Sequence, residues 1–148
     1  KGLIEVKQDI ENAISHSGDF ITTYKVICMS IYKYQRECPN VIENVNGANA
    51  ADFERDNLSD TVKNILCLGT EINMILAAFI EKGKKNGIVR QDTIPILTVF
   101  VLWSSLTSLF TLVRTKGQFI SKQLSVSENE FLDYGFKQLI NAILEVRI

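Results

Sequence analysis

The stretch at residues 94–113, IPILTVFVLWSSLTSLFTLV, decides the fold. It carries no charged residue and is bounded by Arg90 and Asp92 on one side and by Arg114 and Lys116 on the other. A bilayer-spanning helix needs roughly that length, about 20 residues. Three environments would shelter it: a membrane, the middle of a helical bundle, or the seam of an oligomer. Ser104, Ser105, Thr107, Ser108 and Thr111 crowd its second half, so it is apolar without being greasy. Basic residues flank both ends and set no membrane orientation. The reading carried forward is a helix sheltered by protein on nearly every side, with no membrane partner.

At 3.6 residues per turn, Val101, Ser104/Ser105, Ser108 and Leu112 share one stripe of this helix, where small side chains let another helix approach closely. Phe100, Trp103, Thr107 and Phe110 line a second, aromatic stripe. Ordinary core packing accounts for either stripe taken alone.

Composition narrows the field. At 148 residues the chain suits one domain, with 46% hydrophobic and 22% charged residues, which are globular values. Net charge is −1 and no Lys/Arg-rich run stands out, so nothing announces a nucleic-acid footprint. Cys28, Cys38 and Cys67 are too few and too scattered for a disulfide scaffold, and fit a reducing, cytoplasmic interior. With His16 the single histidine and no CxxC, no metal site and no cofactor are expected. No GxSxG, HExxH, Walker loop or GxGxxG occurs, and no catalytic residue is assigned, so enzymatic activity is not expected.

Working outward, scarce glycine, two prolines and helical periodicity predict an all-α bundle of about six helices. The first covers about 1–15, with Ser17-Gly18 ending it through a left-handed glycine. Asp19 caps a second helix to Glu37, closed by Cys38-Pro39. A short third helix is expected over 39–45, then a polar loop or weak helix over 46–57. A long helix starts near Leu58, with Gly69 marking close packing or a kink, and ends at Gly87 with Ile88 folding back. Asp92 or Thr93 opens the organising helix, Pro95 stands in its first turn, and Gly117 closes it. A connector, at most a short turn of helix, is expected over 119–126. Ser127 and Glu130 then form a capping box, with Val126 and Phe131 at staple positions. The last helix carries a bulky stripe from Leu132 to Val146 and a mostly small one of Phe131, Gly135, Gln138 and Ala142.

Two long helices that each carry a small-residue face predict a two-fold, four-helix seam with a second subunit. It would be made of Val101, Ser105, Ser108 and Leu112 with Phe131, Gly135, Gln138 and Ala142. The aromatic and hydroxyl residues on core-facing stripes predict an inter-helix pocket. Phe20, Tyr24, Cys28 and Tyr32 come from the second helix, and Asn73, Met74 and Phe79 from the fourth. Phe100, Trp103, Thr107 and Phe110 come from the organising helix. Filling space is the ordinary role of each.

The order of segments resembles a known family. EKGKKNGIVRQDTIPILTVFVLWSSLTSLFTLV looks like the C-terminal regulatory domain of the TetR family of transcriptional regulators. There a long helix ends in a glycine-containing turn, followed by a short link, an acid, often a proline, and a long apolar helix. Here Gly83, Gly87, residues 88–90, Asp92 and Pro95 fill those places. ENEFLDYGFKQLINAIL and YKYQRECPN are similar to the family's last helix and to the end of its fifth. The resemblance implies that residues 1–148 are one effector-binding and dimerisation domain, probing a small hydrophobic effector and acting as a homodimer. An amphipathic pattern is already running at Leu3, and the family's helix-turn-helix DNA reader is expected before Lys1, so DNA contact would pass only through that part. The two other readings are a helical dimeric adaptor without a small-molecule site and a membrane-associated helical protein.

Overall fold

The computed structural model describes residues 2–16, 18–39, 51, 54 and 57–148. Among these, five α-helices follow one another: α1 (Gly2–His16), α2 (Phe20–Glu37), α3 (Asp60–Lys85), α4 (Pro95–Leu124) and α5 (Glu128–Asn141). The short helix expected over 39–45 and the loop over 46–57 lie mostly outside the described residues. All-helical architecture therefore holds, with five helices described where about six were expected.

Helix ends follow local chemistry. Asp19 Oδ1 accepts from the Thr22 N–H at 2.8 Å and opens α2, and Ser59 accepts from Val62 to open α3. At the far end of α3, Gly87 takes φ +73°. Its N–H donates to the Lys84 carbonyl, and the Ile88 N–H reaches back to the Gly83 carbonyl at 2.9 Å. These are the two bonds of a Schellman stop, in which glycine bears no Cβ penalty.

The α5 capping box is complete. Ser127 Oγ accepts from the Glu130 N–H at 3.1 Å, and Glu130 Oε2 accepts from the Ser127 N–H at 2.8 Å. Those bonds favour the ionised carboxylate and hold Glu130 below the usual glutamate range. A depressed folded value means the stabilisation is fully present above the ordinary glutamate range and is lost as pH falls through the folded one. Glu130→Gln should flatten this acid-side slope in urea midpoints. Ser127→Ala should cost about 1 kcal/mol at neutral pH.

Several expectations are corrected. Gly117 does not end α4, which runs to Leu124 and stops at Ser125 in the left-handed region (φ 55°). Instead Gly117 is buried against Glu128, whose Oε1 lies 2.6 Å from where a Cβ would stand. Residues 119–124, expected as a connector with at most a short turn of helix, continue α4. The chain end is not helical beyond Asn141. Glu145 N–H donates to the Ile88 carbonyl and Arg90 N–H to the Ile143 carbonyl, both at 2.9 Å, around an isolated antiparallel bridge from Val89 to Leu144. Val146, placed on the last helix's stripe, is 77% exposed.

Among the glycines, Gly18 and Gly69 both face open space, Gly69 within an unbroken α3. The close approach falls at Gly83, where an added Cβ would meet Phe20 Cε2 and Val89 Cγ2 at 2.7 Å. Neither Asp92 nor Thr93 caps α4. Its N-cap is Ile94, which makes no side-chain bond, and Pro95 follows. Asp92 instead pairs with Arg90 at 3.1 Å. Lys84 Nζ and Gln91 Nε2 tie the α3–α4 corner by donating to the Thr93 and Lys84 carbonyls.

The helices pack as α1 on α2 and α3, α3 on α4, α4 on α5, and α2 on α4. One core runs through them, with Ile10, Ile72, Val99, Phe110, Leu132, Phe136 and Ile140 almost wholly buried. Both α3 and α4 are long and apolar enough to cross a bilayer by length and composition. The face of α4 that bears Val99, Leu106, Phe110, Val113 and Gly117 is buried by protein.

Candidate functional site: an apolar cavity and an uncovered helix pair

α2 and α3 meet mainly through side chains, with Phe20 stacked on Phe79 at 4.5 Å and 6° between ring planes. Beside that stack, where α2, α3 and α4 converge beneath α5, lies a cavity of about 30 Å³. Tyr24, Ile27, Cys28 and Ile31 form its α2 wall, Leu76, Phe79 and Ile80 its α3 wall, and Val99, Leu102, Trp103 and Leu106 its α4 wall; Ile140 closes it. The space exposes only apolar atoms. It is far below the roughly 300–1,000 Å³ of drug-sized ligand sites, so a ligand must displace side chains to enter.

The α3 side is where displacement is easiest. Along its 26 residues only Ile72, Ile80 and Gly83 are buried. Leu76, Phe79, Leu102 and Trp103 are each only half-buried at the cavity wall. Low burial marks the parts of a fold that open at least cost.

Polar groups around the cavity are mostly engaged. Tyr24 Oη donates to the Phe136 carbonyl at 2.8 Å, fixing α2 to α5. Burial drives the Tyr24 phenol far above its ordinary value and pushes the neighbouring Cys28 thiol up to about 12. Both are neutral and unreactive at physiological pH. Trp103 Nε1 donates to Asn73 Oδ1 at 2.7 Å, bracing α4 against α3.

Of the pocket residues expected from sequence, Phe20, Tyr24, Cys28, Phe79 and Trp103 line the cavity. Asn73 stands behind Trp103 as its acceptor, and Thr107 is half-buried. Phe110 is a core residue, edge-on to Phe136 at 6.0 Å. Tyr32 packs on Phe110 at 5.1 Å and faces a broad outer groove between α1 and α2. Met74 and Phe100 point outward, 61% and 58% exposed. Ten residues at 100° each fall about 80° short of whole turns. The stripe from Phe100 to Phe110 thus winds from solvent into the core. The aliphatic walls, such as Ile27, Ile31 and Leu106, were legible only as core, because nothing in a Leu or Ile distinguishes a wall from a filler.

The α4–α5 pair is antiparallel: Gly117 meets Glu128, and Leu109 Cδ2 sits 2.7 Å from where a Gly135 Cβ would be. In that register Val101 lies level with Ala142 and Ser105 with Gln138. Val101, Ser108, Gln138 and Ala142 are exposed, and Ser105, Leu112, Phe131 and Gly135 half-buried. The small size of Gly135 thus already serves contact within the subunit. Leu97, Phe100 and Val101, each more than half exposed, leave the first half of α4 uncovered. Among the described residues no cluster of side chains suited to a metal ion occurs.

No family model matches the chain, and no curated protein matches it. Its fold is similar to a solved protein of unknown function from Rhodococcus sp. RHA1, with a TM-score of 0.73 and 8% identity, over 97% of this chain and 68% of that one. That likeness shows a shared fold.

Proposed function

We propose that this chain is the ligand-sensing and dimerisation domain of a TetR-like transcriptional regulator, working without chemistry of its own. A small, largely apolar effector enters between α2, α3 and α4. The exposed faces of α4 and α5 pair with a second copy. The observation that carries the reading is the apolar cavity where three helices converge behind a half-buried wall.

The mechanism follows from what the cavity touches. Widening it pushes α3 away from α2. α3 is joined to α1 by packing and by the ion pair from Lys7 Nζ to Glu71 Oε2 at 2.7 Å. A shift of α3 therefore moves α1, the helix nearest the DNA reader that the resemblance implies. Half-site spacing on DNA is fixed, so a changed spacing of two readers lowers operator affinity.

Trp103 is the chain's single tryptophan and lines the cavity, so its emission reports entry. Titration with small aromatic and alicyclic compounds should shift Trp103 emission. The same compounds should raise stability by about 2.7 kcal/mol at a hundredfold excess over Kd. The small volume of the cavity favours a second reading, a dimeric helical scaffold with no ligand. Silence in both readouts across such a panel would decide for the scaffold. A chain that pellets without detergent would decide for a membrane role of α3 and α4.

A further inference from the structure

We propose that the ligand space ends in a hydrogen-bonding subsite built on Gln35, and that it selects elongated apolar molecules tipped with a donor such as a phenolic or alcoholic hydroxyl. This rests on the ligand-sensing reading and specifies its ligand class. Along α2 the cavity wall is Tyr24, Ile27, Cys28 and Ile31. Gln35 is the next step on that row, one turn or about 6 Å further along the axis. It is only 6% exposed, a rare position for a glutamine. Its Nε2 makes a long bond to Thr111 Oγ1 at 3.5 Å, while its Oε1 is buried and has no hydrogen-bond partner.

A buried amide carbonyl without a donor is costly, and natural interiors leave few of them. The other polar tips at the cavity are spent: Tyr24 Oη on the Phe136 carbonyl and Trp103 Nε1 on Asn73. Gln35 is the side chain here with unused capacity, and its unused atom accepts. An apolar molecule that widens the cavity along α2 would bring its far end to this carbonyl. A hydroxyl there supplies the missing donor, whereas an ether or a bare methyl leaves the carbonyl unpaired.

The test compares 4-butylphenol with 4-butylanisole, which keeps the shape and the oxygen but lacks the donor, using Trp103 emission on the whole chain. The phenol should bind about tenfold more tightly than the ether. In Gln35→Leu, which replaces the orphan amide by an apolar group of similar size, the two should bind within about twofold of each other. Equal binding of the two compounds to the wild type overturns the subsite while leaving the sensor reading standing. A phenol preference that survives Gln35→Leu also overturns it. Thr111→Val frees the amide nitrogen to donate to the ether oxygen, so the preference should shrink towards equality, and a preference left at tenfold counts against the subsite. Binding of neither compound overturns the subsite, and the sensor reading then stands or falls on the wider panel.

Discussion

Val101→Arg should yield a monomer at concentrations where the wild type sediments as a dimer. Val101 is 62% exposed and makes up, with Leu97 and Phe100, an apolar strip on α4 that nothing in the subunit covers. It lies level with Ala142, just past the end of α5, so the exposed face continues across the pair. In a two-fold interface each substitution is felt twice. A central apolar contact removed by a charge costs at least about 2 kcal/mol per copy. Association should therefore weaken by about a thousandfold, read by sedimentation velocity across a dilution series. The fold should be unaffected, because surface replacements away from special features stay within about 0.5 kcal/mol. Ser108→Trp, also on the exposed face, should act in the same direction. Gly135 is a poor site for this experiment: a side chain there would strike Leu109 of its own subunit at 2.7 Å. A Val101→Arg chain that stays dimeric would move the seam elsewhere, and a wild-type chain that stays monomeric would overturn the dimer itself.

Phe136→Ala should be the most damaging single core truncation, at about 3–5 kcal/mol. Phe136 is 0% exposed and meets Phe110 edge-on at 81°. Its carbonyl also anchors Tyr24 at 2.8 Å, so two helices converge on one residue of α5. Domains of this size hold about 5–15 kcal/mol in total, so the variant should be partly unfolded in dilute urea. Tyr24→Phe, which removes the hydroxyl and keeps the ring, should cost only about 1 kcal/mol. A loss under about 1 kcal/mol for Phe136→Ala would mean that the surrounding helices close over the gap.

How far these features could be read from residues alone depends on the range of the force that sets them. Asp19, Ser127 with Glu130, and Gly87 with Ile88 act within a turn of helix, and each cap formed as the local pattern predicted. Gly117 misled because helix propensity treats glycine as a stop, whereas here the flank of Glu128 needs its missing side chain. That contact comes from the following helix and has no local signature. The pairing of residues 88–90 with 143–145 joins segments more than fifty positions apart, and only packing of α4 on α5 brings them together. The cavity was legible as a set of stripes, since Phe20, Tyr24, Cys28, Phe79 and Trp103 share it. Its size was not, because whether facing side chains meet or fall short depends on axis separations that periodicity does not contain. Gln35 was invisible for the same reason: nothing in YQREC distinguishes a buried amide from an exposed one.

The bridge between Val89 and Leu144, with its two flanking backbone bonds, has a mechanical consequence. It pins the tail of the chain to the corner that leads into α4, so α5 cannot slide or swing without first releasing that clasp. The final two helices are thereby locked into a stiff platform. Of the elements around the cavity, only the far end of α3, and α1 packed on it, lie away from that clasp.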